Sequence, residues 1–117
     1  MNQWTVILKD KLGDVQRGEV KPGGEVSAIW ANISGAPKAA IWIICPKCGT
    51  VGHCPANQAN PNGANWTVTE EDGKLTMRPS ILCNSTIAIN AQGKVKRSET
   101  PCGGHYWLTA GVLQETN

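Results

Sequence analysis

Two short spacings carry most of the chemistry that this sequence can do. Cys45-Pro46-Lys47-Cys48-Gly49 sets two thiols two residues apart ahead of a glycine. One tight turn of that kind delivers both thiolates to a tetrahedral ion at about 2.3 Å, and Gly49 supplies a residue tolerant of positive φ. Cys102-Gly103-Gly104-His105 repeats the two-residue gap, with two glycines able to bend around the same ion. Cys45, Cys48, Cys102 and His105 together make a closed four-ligand set of the structural zinc type. The pairs lie much further apart than the roughly 12 to 20 residues of common finger and ribbon patterns. Zinc would therefore tie the middle of the chain to its C-terminal part.

Three further residues compete for places in that set. Cys83 follows the apolar run Pro79-Ser80-Ile81-Leu82, where a cysteine often serves as a small buried hydrophobe. His53 and Cys54 lie just past the first pair, and ligation from there would need a compact loop through Thr50-Val51-Gly52. The fourth ligand stays open among them. A redox Cys-x-x-Cys normally opens a helix in a strand-helix-strand unit, whereas Gly49, Gly52 and Pro55 discourage a helix here.

The elements that must hold these residues read as strands. The 117-residue chain is of single-domain length, with 13 Gly, 7 Pro, five Trp, one Tyr and no Phe, a balance that favours strands and turns. Its five cysteines cannot all pair within the chain, so at least one is a thiol or a ligand. Residues 4–9, 25–33 and 39–44 are strand candidates, the last apolar on both faces and running into Cys45. Asp72-Gly73 between alternating runs predicts a two-residue hairpin pairing Glu71 with Lys74, Thr69 with Thr76 and Val68 with Met77. Ala91-Gln92-Gly93 and Ala110-Gly111 mark two more hairpins, while residues 54–65 read as a polar surface loop. Trp42, Trp66 and Trp107 fall where packing is expected. The fold expected is a mainly β, small antiparallel hairpin domain stapled by a zinc-ribbon-like site. Within one domain, residues 1–38 form N-terminal strands and 39–117 the zinc-linked hairpins.

Leu75-Thr76-Met77-Arg78-Pro79-Ser80-Ile81-Leu82-Cys83, followed by the segment from Cys102 to Gln114, resembles a family of small cysteine-rich bacteriophage and prophage proteins, sometimes labelled ammonia monooxygenases. The resemblance covers the chain from Cys45 onward. It implies the same ligands, Cys45, Cys48, Cys102 and His105, and a phage or prophage origin. The monooxygenase label itself conflicts with the residues, because oxygen activation calls for open iron or copper sites with several His, and this chain has two.

The function expected on these grounds is a non-catalytic, zinc-stabilised binding protein that engages a host macromolecule, a host protein such as a defence component being the natural target of a phage protein, with no enzymatic activity. A competing expectation is nucleic-acid binding, resting on Lys94, Lys96 and Arg97 at one hairpin and on Arg78, with the Trp residues as stacking surfaces. A formal charge of +2 and a pI of 8.3 fall short of an obviously basic nucleic-acid domain. The apolar stretch near Met1 is shorter than a signal-peptide core, and nothing approaches a membrane-spanning run. These features point to a cytoplasmic protein, where clustered thiols more often bind metal than cross-link.

Overall fold

The computed structural model describes residues 2–11, 18–57 and 63–116. Among the described residues the chain forms ten strands: β1 Gln3–Lys9, β2 Glu25–Ile33, β3 Ala36–Ile44, β4 Val51–Pro55, β5 Thr67–Glu71, β6 Lys74–Leu82, β7 Ile87–Ile89, β8 Val95–Arg97, β9 His105–Thr109 and β10 Val112–Glu115. Eight of them make one sheet in the order β4-β3-β2-β1-β10-β9-β6-β5, and β7 and β8 pair separately. All neighbours are antiparallel except β1 and β2. The mainly β, antiparallel-rich fold expected from the sequence is the fold observed.

The sheet curls around an apolar interior, with β5, β6 and β9 alternating buried and outward residues and β2 and β3 burying consecutive ones. Tyr106 and Leu108 of β9, Leu75 and Met77 of β6, Leu113 of β10, Val26 of β2 and Ile41 of β3 are fully buried on the concave side. Curling brings the two sheet edges together. Ala56 bridges Trp66, and the Trp30 indole N–H of β2 donates to Glu70 Oε1 of β5 at 2.7 Å. Trp4 lies inside the curl, edge-on to Tyr106 with centroids 5.7 Å apart, and its N–H donates to Val20 O.

The Asp72-Gly73 hairpin has the expected register, Glu71 against Lys74, Thr69 against Thr76 and Val68 against Met77. Both turn residues have positive φ, 53° and 74°, as a turn matching the strand twist requires. β4 departs from the reading of residues 54–65 as loop. Cys54 pairs with Ile41 and Pro55 with Ala40, which gives the backbone N–H and C=O groups along that edge of β3 a partner. Residues 58–62 of that segment lie outside the described residues. Trp107 also differs from the packing expected of it: its β9 position faces outward and it remains 40% exposed.

One irregularity sets up the site. β6 and β9 pair at Met77 with Leu108 and again at Ile81 with Tyr106, so Arg78, Pro79 and Ser80 stand against Trp107 alone. Such a bulge re-aims the side chains it carries. Beyond it, Leu82 pairs with His105.

Candidate active site and metal centre

β3 ends directly at Cys45, where the backbone closes a knuckle. Gly49 N–H donates to Cys45 O at 2.8 Å and Cys45 N–H to Thr50 O at 2.9 Å, with Gly49 at φ 76°. A Cβ at Gly49 would run into the Ile89 carbonyl and the Gly18 backbone, so the knuckle is roofed by other chain segments. Ile89 N–H also donates to Cys48 O.

The partners of this knuckle are Cys83, just past β6, and Cys102, just ahead of β9. Sulfurs of Cys45, Cys48, Cys83 and Cys102 all lie within 4.8 Å of one another. Cys45 and Cys102 are separated by 3.8 Å, and Cys48 and Cys83 by 3.4 Å. All four are free thiols. Four thiolates at 2.3 Å around a tetrahedral centre would sit about 3.8 Å apart, so the cluster can hold a metal ion after small adjustments. Four sulfurs fill a tetrahedron, leaving no open position of the catalytic kind.

The electrostatics suit a cation. The Cys83 thiol hydrogen-bonds Cys45 and, with the Tyr106 hydroxyl, draws Cys45 down to about 5 against the cost of burial. The same bond to Cys45, then burial, pushes Cys83 up. Burial holds Cys102 at about 11. One buried thiolate thus resists a second, and a divalent ion is what lets all four ionise together. Tyr106 Oη, 3.4 Å from Cys45 Sγ, and Thr50 Oγ1, 2.9 Å from Cys48 Sγ, are hydroxyls placed to donate to those sulfurs.

His105 goes elsewhere. It opens β9 on the outer face, and its Nε2 lies 2.6 Å from Ser80 Oγ, the residue turned out by the β6 bulge. Both are half-buried. Among the described residues this is the one serine hydroxyl recorded against an imidazole. The other histidine, His53, stacks on Trp42 at 4.9 Å. A serine hydroxyl within hydrogen-bond reach of a histidine ring is the geometry of an activated nucleophile and its base. Among the described residues no carboxylate is recorded on the ring. Glu115 of the neighbouring β10 is instead paired with Lys47 and with the Asn2 amide at 2.9 Å.

Residues 19–116 match the protein family BubE, described as "Bacterial ubiquitination-like system serine protease". The chain belongs to the BubE family. No match is found among curated proteins or among solved structures.

Membership in BubE corrects two expectations, that of a phage-type, non-catalytic host-binding protein and that of a chain without enzymatic activity: the family is one of serine proteases. The matches likewise give the phage resemblance no support. A zinc-bound His105 would leave His53 as the one histidine able to act as a base. With Cys83 beside Cys45, Cys48 and Cys102, His105 is available to Ser80.

The other candidates are scattered around the BubE chain. Cys54 is 2% exposed in the core, its thiol pushed up to about 12 by burial. Lys94, Lys96 and Arg97 are exposed on the β7–β8 hairpin. The Arg78 guanidinium donates to Met77 O, Leu108 O and Thr109 Oγ1 and lies over the Trp107 ring. Arg78 therefore braces the bulge that carries Ser80. A cavity of about 310 Å³ lined by Trp66, Ile81, Leu82, Cys83, His53 and Cys54, among others, opens between β4 and the end of β6. The Trp66 N–H at its wall donates to Ser80 O at 3.2 Å. Sequence reasoning missed Ser80, which lies in no Gly-x-Ser-x-Gly setting. The signal available was Ser80 three residues before Cys83, mirrored by His105 three residues after Cys102.

Proposed function

We propose that this chain is a serine peptidase of a bacterial ubiquitin-like system, with Ser80 as nucleophile and His105 as general base and acid. The observation that carries the reading is the 2.6 Å separation of Ser80 Oγ and His105 Nε2, in a chain whose family is one of serine proteases. With the ring proton on Nδ1, Nε2 takes the Ser80 proton as Oγ attacks the scissile carbonyl. The imidazolium then protonates the departing amine, leaving an acyl-serine. Water, deprotonated by the same Nε2, releases the acid and restores Ser80. The substrate class is a carbonyl bond formed by a ubiquitin-like protein, either in its precursor or in a conjugate.

We further read the metal as zinc, bound by Cys45, Cys48, Cys83 and Cys102, on the strength of a complete thiolate set. It serves the frame, since every ligand position is filled by protein.

The deciding experiment is labelling with a fluorophosphonate, followed by peptide mapping. The adduct is expected on Ser80 and is expected to vanish in His105→Ala. An adduct on another residue, or peptidase activity surviving Ser80→Ala, rejects the assignment.

A further inference from the structure

The metal cluster and the Ser80–His105 pair share the same two strand ends. Ser80 stands three residues before Cys83, and His105 three residues after Cys102. Between them the β6–β9 ladder runs on without a break: Leu82 pairs with His105, Cys83 N–H donates to Gly104 O at 2.7 Å, and Gly103 N–H donates to Cys83 O at 2.9 Å. Tyr106, next to His105 and paired with Ile81 next to Ser80, reaches the cluster through its hydroxyl on Cys45. A Cβ at Gly104 would strike that same hydroxyl, so the turn from Cys102 into His105 is packed against the tyrosine.

On the other side of Ser80 the ladder is interrupted. Arg78, Pro79 and Ser80 face only Trp107, and regular pairing resumes at Met77 with Leu108. On that side, side-chain contacts stand in for the ladder, Arg78 to Leu108 O and Thr109 Oγ1 and Trp66 N–H to Ser80 O, so continuous backbone pairing reaches Ser80 and His105 from the cysteine end. A clamp on Cys83 and Cys102 fixes both strand ends to one point.

Resting on the peptidase reading above, we propose that Cys83 and Cys102 are positioning residues. Occupation of the four-cysteine site holds Ser80 Oγ against His105 Nε2, which makes this a serine peptidase whose nucleophile depends on a metal that never touches substrate. Loss of the clamp frees the two strand ends at the site, and a displacement of about 1 Å costs on the order of 100-fold in rate.

The test uses the zinc-loaded full chain, its chelated form and Cys83→Ser, with Cys54→Ala as a buried cysteine outside the cluster. Three readouts are taken together: zinc content, the rate of fluorophosphonate labelling at Ser80, and imidazole nitrogen–proton spectra. With two histidines in the chain, His53 serves as an internal reference for His105. Cys83→Ser is expected to keep its zinc through the three remaining thiolates and to keep its far-ultraviolet signal. Its Ser80 labelling should fall by about 100-fold, and its His105 signals should lose the single-tautomer pattern while those of His53 stay put. Cys54→Ala should label as wild type does. Should Cys83→Ser fail to fold, Cys83→His and Cys102→His keep four ligands with a longer arm. They are expected to retain zinc and still lose labelling. Wild-type labelling and an unchanged His105 pattern in any folded variant with an altered clamp, or in folded chelated protein, overturn the proposal. Failure of the zinc-loaded wild type to label at Ser80 overturns the peptidase reading instead.

Discussion

If Ser80 and His105 act as one unit, removing both should cost no more than removing either. Their 2.6 Å contact means that the proton Ser80 must lose has one acceptor recorded among the described residues. Ser80→Ala deletes the nucleophile, and His105→Ala leaves it as an ordinary alcohol. Each is expected to lower kcat by roughly 10⁴ to 10⁶-fold, the range seen when members of such units are deleted singly. At 1.36 kcal/mol per decade this is about 5 to 8 kcal/mol of transition-state stabilisation. Independent contributions would put the double variant at about twice that free energy, whereas a unit gives the single-variant value again. Stability should barely respond, since one partly exposed hydrogen bond is worth about 0.5 to 1.5 kcal/mol. The assay is release of a C-terminal fusion from the cognate ubiquitin-like protein, with thermal melts on all four proteins. Additive losses in the double variant, or a melt depressed far beyond one hydrogen bond, would refute the reasoning.

Three further outcomes follow from the geometry. The double variant Cys45→Ser/Cys48→Ser, which takes away both knuckle thiolates and leaves two, should leave the chain unfolded without recovery by added zinc, because structural zinc binding contributes roughly 10 to 16 kcal/mol in small peptides against typical stabilities of about 5 to 15; a cooperative melt by circular dichroism would contradict this. Tyr106→Phe, which removes the hydroxyl 3.4 Å from Cys45 Sγ, should weaken zinc about 10 to 100-fold in chelator competition, and an unchanged affinity would show the hydroxyl to be a bystander. Cys54, held at about 12 by burial, is a neutral thiol throughout the range below that pH. In the folded protein it should resist iodoacetamide at pH 8 and gain reactivity only as pH approaches the raised value or the chain unfolds, which mass spectrometry of alkylated peptides reads directly.

Local pattern was enough to read much of the scaffold. Asp72-Gly73 carries its own turn geometry, and Val68, Leu75 and Met77 then select the buried face, so that hairpin is determined by a dozen residues. β4 was illegible for the opposite reason. Val51-Gly52-His53-Cys54-Pro55 has a glycine, a proline and no alternation, and its strand is set by long-range pairing with the edge of β3, whose backbone groups it satisfies. Trp107 departs from the core position expected of it because strand membership does not decide burial; the side of the pleat does. Alternation places Tyr106 and Leu108 inward, and Trp107 then has to face out.

The same parity separates the metal from the chemistry. A two-residue gap lets both members of a pair face one point, as the thiols of Cys45 and Cys48 do around a knuckle. Cys102 and His105 have that gap but not that backbone. Gly103, at φ 74°, ends the turn, and β9 begins at His105, so strand geometry takes over between the two residues. Tyr106 must point inward to fill the core, which sends His105 to the outer face. The thiol of Cys102 stays with the cluster. A four-ligand site then needs one more ligand than this segment gives, and Cys83, across the ladder, completes the four-sulfur cluster. One turn in the backbone thus accounts both for the fourth sulfur and for the free imidazole beside Ser80. Moving the start of β9 by a single residue, for instance by inserting one residue between Gly104 and His105, should exchange the faces of His105 and Tyr106. Labelling of Ser80 and burial of the tyrosine should then be lost together.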